Sequence, residues 1–518
     1  MQRRTFLATL AAGTAMATIL TNGHAIAQAS STGATPTLGG TMRLAWGTLD
    51  TSDFHRHTGS ISLTHPFVET LTSISADGQP RGLLAESWEI SEDGKTYTFA
   101  IRQGVTFHDG RAMTASDVLA NFERIKREVK GGWLTSALAN VEDMTAPDDA
   151  TFVVRLSAPF APFLNVIAEA WIVSPASPGW EGQITKAIGT GPFTFDTWTP
   201  QLELRGARFD GYWMADKPYL DEIVFDVREV ADTSLALRAG DFHATPIPLS
   251  SVTEFEANPD IEVQFRTDTS WSFVSFNNRV ARPPFDNVRI REAVAYALDI
   301  PTLRTILDGQ YAIASNQMVV PGNFYFDQAM ADADKHKGPD IERAKAILAE
   351  EGVNPADFTL EMVSSQGDRL AGPVSQTLQQ LGFGVNNRAY DDLGYQRRLS
   401  EYDWDLYPGG SGPRNDIFLR FVRFMSDGPN PGLWGGVQDP ELDAMINAAV
   451  ASVNDNVRRQ HYLDAWKRIS DRYYTIVIGH SPAAYGIRTE VKDFTVAFNT
   501  STHRVDGGLA FAWMNTGA

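Results

Sequence analysis

Residues Pro80 to Val118 read PRGLLAESWEISEDGKTYTFAIRQGVTFHDGRAMTASDV. Elementary chemistry predicts a strand, a tight turn, a strand, a second turn and a helix start. Ser91-Glu92-Asp93-Gly94 supplies the first turn, with Gly94 available for positive φ. Thr96 to Ile101 alternates with aromatic and β-branched residues, the period-two pattern of a half-buried strand. Asp109-Gly110 is a second turn signal. Thr114 and Asp117 have the spacing of a helix capping box, with Asp in place of the usual Glu or Gln. None of this chemistry is catalytic.

Working outward, Thr41 to Trp46 reads as a first strand. A polar stretch follows in which Asp53, His55, Arg56 and His57 crowd together. Downstream, Val118, Leu119, Phe122 and Ile125 mark one face of a helix, and Phe152 to Leu156 reads as another strand. Ser157 to Pro162 is a surface turn. Ile290, Ala293, Val294 and Ala297 share one side of a later helix. Ile341 to Glu351 is amphipathic and stops naturally at Gly352. Asp439-Pro440 pairs an N-cap with a proline at the first helical position. Leu442, Met445, Ile446 and Ala449 line that helix, and Val457 to Tyr474 reads as a last long helix with Trp466 and Ile469 buried. Strands and helices mix without a strict βαβ rhythm, so the chain is α/β or α+β. At 518 residues it is too long for one core.

The N-terminus reads as a targeting segment. Arg3-Arg4-Thr5-Phe6-Leu7 resembles a twin-arginine export motif, and the general secretory route is the alternative. The apolar run Ala8 to Leu20 falls short of the roughly 20 residues a spanning helix needs. Ala25-Ile26-Ala27 and Ala27-Gln28-Ala29 are both cleavage candidates. A mature chain outside the cytoplasm is expected. The sequence has no cysteine, which excludes disulfides, thiol catalysis, thiolate metal sites and a lipid-modified cysteine. A Gram-negative periplasm without a lipid anchor is therefore favoured. The formal charge of −19 makes nucleic acid and anionic lipid poor partners.

The Pro80 to Val118 run closely resembles a block shared by the extracytoplasmic solute-binding proteins of peptide-type ABC importers, which include dipeptide, oligopeptide and nickel binders. Its typical form is L-A-x-S-W-x-x-S-x-D-G-x-x-Y-x-F-x-L-R-x-G-V-x-F-H-D-G-x-x-x-T-A-x-D-V, with Ile101 here where Leu is usual. Further landmarks are Gly189-Thr-Gly-Pro-Phe193, Tyr212-Trp213, Lys217-Pro218, Leu237 to Asp241, Phe276-Asn277-Asn278 and Pro283 to Asp286. The resemblance runs from about Gly40 to the end. It implies an α/β, two-lobed periplasmic binding protein (type II-like, hinged) with an extra subdomain in the first lobe. Mapped by motif order, 1–29 is the export signal and 30–75, 183–270 and 482–518 form lobe I. The extra subdomain is 76–182 and lobe II is 271–481. A small ligand binds between the lobes, and a membrane permease receives it. A monomer without cofactor, metal or catalysis is implied, and His108 is structural.

Peptide binders of this family hold the ligand's ammonium with an acid in a loop resembling G-x-x-x-D-P-x-x-F-L. Here Tyr407-Pro-Gly-Gly-Ser-Gly-Pro413-Arg414-Asn415-Asp416-Ile417-Phe418-Leu419 keeps the Phe-Leu end and lacks the Asp-Pro pair. Asp416 could serve from a shifted position, or Arg414 could face the cleft and bind an anion bidentately. The candidate ligand contacts are Trp46, Asp53, His55, Arg56, His57, Trp271, Tyr407, Arg414, Asn415, Asp416 and Trp434. Each has a plainer reading as core, hinge packing or surface. Two histidines at i, i+2 are a weak metal signal, and no metal is expected. Short peptides lead as cargo. An anionic or polyhydroxylated conjugate (opine, sugar phosphate, oligosaccharide) is the alternative. An exported hydrolase is the rival class, without an H-E-x-x-H or G-x-S-x-G motif in its favour.

Overall fold

The computed structural model describes residues 35–56, 61–75, 79–129, 134, 138–228, 233–266, 270–280, 282–412, 414, 416–428, 431–496 and 503–515. Strands Ala85–Ile90 and Thr96–Ile101 pair antiparallel. Between them Gly94 has a φ of +67°, and its N–H donates to the Ser91 carbonyl at 2.8 Å. Alternation buries Tyr97, Phe99 and Ile101. The Asp117 carboxylate accepts the Thr114 backbone N–H at 2.9 Å, which starts helix Ala115–Glu128. Val118, Phe122 and Ile125 are its buried stripe. Strands Thr151–Leu156 and Val141–Asp148 complete a four-stranded antiparallel sheet. Sheet and helix enclose a core that includes Tyr97, Phe99, Phe122 and Phe152.

A seven-stranded mixed sheet carries the first lobe. Its centre is Thr41–Ala45, parallel to both Glu222–Asp226 and Ala244–Ile247. Strand Thr41–Ala45 ends one residue before Trp46, whose ring stacks on Tyr485. A five-stranded sheet carries the second lobe, in the order Gly384–Tyr390, Thr359–Ser365, Leu406–Ser411, Trp271–Phe276, Thr475–Gly479. The last long helix is Asp455–Asp471, earlier than its apolar pattern predicts. Asn454 fixes the start by accepting the N–H groups of Asn456 and Val457.

The chain passes between the two large sheets twice. Strand Ile261–Arg266 ends in the first sheet, and Trp271–Phe276 begins the second. Thr475–Gly479 closes the second, and Ala483–Arg488 returns to the first. The whole is a mixed α/β molecule of two lobes with the four-stranded subdomain as an extra unit. That subdomain also touches the second lobe. The Ala161 N–H donates to the Val450 carbonyl at 2.8 Å, and Phe160 meets Phe418 edge-on at 5.3 Å. No helix among the described residues is long and apolar enough to cross a membrane.

Candidate functional site

A cavity of about 320 Å³ lies where the subdomain faces the second lobe. Trp88, Tyr97 and Asn165 line one wall, and Tyr325, Arg414 and Arg458 line the other. The second wall is built by the segment after strand Leu406–Ser411. That strand pairs with Trp271–Phe276, setting Gly409 opposite Phe273 and Gly410 opposite Ser272. Its glycines leave the strand end bare, and the chain then turns through Arg414 into the short helix Phe418–Phe421.

Four charged groups in this segment separate into two kinds. Asp416 is 4% exposed and accepts the Phe418 N–H at 2.7 Å and the Arg458 guanidinium at 2.6 Å. Arg420 donates to the Ser411 hydroxyl at 2.5 Å and to the Gly412 carbonyl at 2.6 Å. Both hold the loop in place. Arg414 and Arg423 are only half-buried. Burial lowers the pKa of Arg414, opposed by the charge of Glu169. Burial, and then repulsion from Arg414, bring Arg423 down to about 10, and its guanidinium lies 4.9 Å over the Trp434 ring. Glu169 ends a 3-10 turn, Ile167–Glu169, that continues from the cavity-lining residues Leu164 and Asn165. Burial raises its carboxyl to about 8, and the Arg414 charge opposes that rise.

The candidates from sequence divide sharply. Arg414 lines the cavity. Asp416 does too, but Arg458 neutralises it, so a free acid for a ligand ammonium is not what the loop offers. Trp271 and Trp434 stack on each other at 5.9 Å, are 2% and 1% exposed, and pack in the core of the second lobe. Their indole N–H groups have no hydrogen-bond partner among the described residues. Tyr407 is likewise fully buried, edge-on to Phe273 at 5.9 Å. Trp46 is packed inside lobe I against Tyr485 and Phe494. His57 and Asn415 lie outside the described residues.

The described members of the Asp53 cluster, Asp53, His55 and Arg56, are tied to Arg124 and Glu128 of the helix Ala115–Glu128. Asp53 is 0% exposed, and Arg124 donates to its two oxygens at 3.0 and 2.7 Å. Burial alone would raise the Asp53 carboxyl, but Arg124 and the Ile184 N–H hold it below its ordinary value. Arg124 also donates to Nδ1 of His55 at 2.7 Å, while Nε2 faces the Trp171 carbonyl at 2.9 Å. Arginine can only donate, so the ring is neutral with its proton on Nε2. Burial first, and the Arg124 charge second, push His55 down to about 4. Arg56 reaches Asp53 at 3.3 Å and Glu128 at 2.9 Å. Glu169 and Arg423 were not singled out from sequence. Glu169 sits inside the apolar run Phe163 to Val173, and the one available signal was a lone charge in that run.

Comparison with known proteins places these features in context. Residues 79–429 match the family described as bacterial extracellular solute-binding proteins, family 5 Middle. The glutathione-binding protein GsiB of Escherichia coli (strain K12) is 31% identical over 341 residues, 64% of this chain and 64% of that protein. The chain thus matches just under two thirds of the length of that relative. The periplasmic binding protein DppA from Helicobacter pylori, solved with the peptide STSA, superposes with a TM-score of 0.74 at 20% identity, covering 93% of this chain and 99% of that one. A dipeptide binding protein from Pseudoalteromonas sp. SM9913, solved with Met-Leu, gives 0.75 at 20% identity, covering 92% and 100%. At these identities the structural likeness carries the fold.

Proposed function

The chain belongs to the bacterial extracellular solute-binding proteins of family 5, and from that premise we propose that it captures a small solute between two lobes and delivers it to an ABC permease. The observation that carries the reading is the pair of crossovers, 266 to 271 and 479 to 483, that join the two large sheets, in a molecule whose subdomain and second lobe wall a cavity. Two short connections allow one lobe to rotate against the other while each core stays intact. Binding of this kind needs enclosure and a few placed polar groups, not chemistry. In this reading 30–75, 183–270 and 482–518 form lobe I, 76–182 the subdomain and 271–481 lobe II. The Arg3-Arg4 leader takes the chain to the periplasm, where it works as a monomer.

Short peptides and peptide-like solutes are the cargo class we favour. The glutathione named for the GsiB relative makes it a sensible first probe. The importer role is tested by deleting the gene and following uptake of the solute that copurifies with the protein. Loss of accumulation is expected. Unchanged uptake contradicts the role.

A further inference from the structure

We infer that the second lobe holds a further small-molecule site, separate from the cavity beside the subdomain, that takes a free α-amino acid with an apolar side chain. Every residue involved belongs to the second lobe, so the site does not depend on capture in the cleft.

A second cavity, of about 360 Å³, lies between helices Ile300–Asp308 and Asp455–Asp471, the turn after helix Gln328–Asp332, and the edge strand Thr475–Gly479. It shares no lining residue with the first. The buried residues Ile300, Trp466, Ile476 and Val477 give it an apolar side.

Four polar groups line the same cavity. Arg304 donates through Nε to the Ile478 carbonyl at 2.6 Å, which fixes its side chain. Among the described residues its two terminal nitrogens have neither a hydrogen bond nor an ion pair. Asp334 accepts the His336 backbone N–H at 2.9 Å, and among the described residues no lysine or arginine pairs with it. Asn316 donates to the Met330 carbonyl at 3.1 Å, which orients its amide. Its Oδ1 is buried and has no hydrogen-bond partner among the described residues. The same holds for Nδ1 of His336, whose Nε2 lies 3.0 Å from the Tyr473 hydroxyl.

These groups lack different complements: an anion for Arg304, a cation for Asp334, a donor for Oδ1 of Asn316. Polar groups held out of water without a complement cost free energy. One molecule supplies all three. An α-carboxylate matches the end-on fork of the guanidinium. An α-ammonium has three donors to share between Asp334 and Asn316, and an apolar side chain covers the apolar side. The remaining cations of the wall do not compete, because Lys467 is paired with Asp471 and Lys335 is exposed. A dianion would meet like charge at Asp334, and a simple cation would leave Arg304 without a partner.

The test is calorimetry on the full chain with L-leucine, L-leucinamide, N-acetyl-L-leucine and glycine. Leucine is expected to bind, with each of the other three at least about tenfold weaker. Arg304→Gln and Asp334→Asn should each weaken leucine at least about tenfold, with thermal midpoints taken alongside to confirm folding. Arg304→Lys, which keeps the charge without the fork, should recover part of the loss. Leucine that binds both variants as tightly as the unaltered chain sits elsewhere and overturns the proposal. So does leucinamide or inorganic phosphate binding as well as leucine, or no binding of leucine at all. Should either variant fail to fold, the Met330 and Ile476 methyl signals of the unaltered chain decide, since both residues line this cavity. They should shift on adding leucine, and signals that stay in place overturn the proposal.

Discussion

Asp53, Arg124 and His55 show how misleading a polar cluster can be at the scale of single residues. Their crowding reads as a cleft edge, yet the partner that decides their role lies 71 residues from Asp53. Both side chains of the Asp53–Arg124 pair are 0% exposed, so removing one partner strands the other without solvent. Arg124→Met should therefore destabilise the protein by about 3–5 kcal/mol, read from urea denaturation. The buried histidines give a pH dependence. Burial puts both His55 and His108 at about 4 in the folded chain, against an unfolded value of 6.5. Between those values the unfolded chain takes up protons that the folded chain refuses, so stability is full above about pH 6.5 and falls as pH drops towards 4. In His108, Nδ1 accepts the Gly189 N–H and Nε2 donates to the Gly191 carbonyl, an arrangement a glutamine can imitate. His108→Gln should remove part of that loss in the thermal midpoint, the rest staying with the other histidines lowered by burial, His55, His243 and His336.

Individual elements were legible wherever the signal was local. The turn at Gly94, the capping box at Thr114 and Asp117, and the stop at Gly352 each depend on residues a few positions apart, and each forms as read. The N-cap at Asn454 was missed because no apolar period runs through it. Contacts between elements were not legible at all. The turn Ser157 to Pro162 looks like open surface, but Phe160 and Ala161 dock it on the second lobe through Phe418 and Val450. An aromatic pair contributes about 0.5–1.5 kcal/mol beyond its buried area, so Phe418→Ala should speed solute release by roughly two- to tenfold. Stopped-flow dissociation measures this, and an unchanged rate would show that the contact does not hold the lobes together. The second crossover carries a related feature. His480 is 2% exposed, with Nδ1 2.6 Å from the Ser270 carbonyl and Nε2 2.8 Å from the Gln317 carbonyl. It pins one crossover to the other. Replacing it by alanine should broaden the distance between the lobes in solution, seen as a larger radius of gyration by X-ray scattering.

For the whole molecule, the family and the fold were readable from Pro80 to Val118, while the cargo site was not. That stretch builds the subdomain, and its motif residues serve turns and core. The cavity emerges only when walls distant in sequence meet, Trp88 and Asn165 on one side and Tyr325 and Arg414 on the other. The central claim is that the two lobes close on a small solute. The chain has no cysteine, so Leu235→Cys and Leu393→Cys, at residues 73% and 85% exposed, give one spin label on each lobe. The labelled protein is stripped by unfolding and dialysis, refolded, and measured by double electron–electron resonance. The small-molecule fraction released from the native protein is then added back. The account predicts that this addition converts a broad, longer distance distribution into a single shorter distance. A distribution that the released fraction leaves unchanged would contradict it.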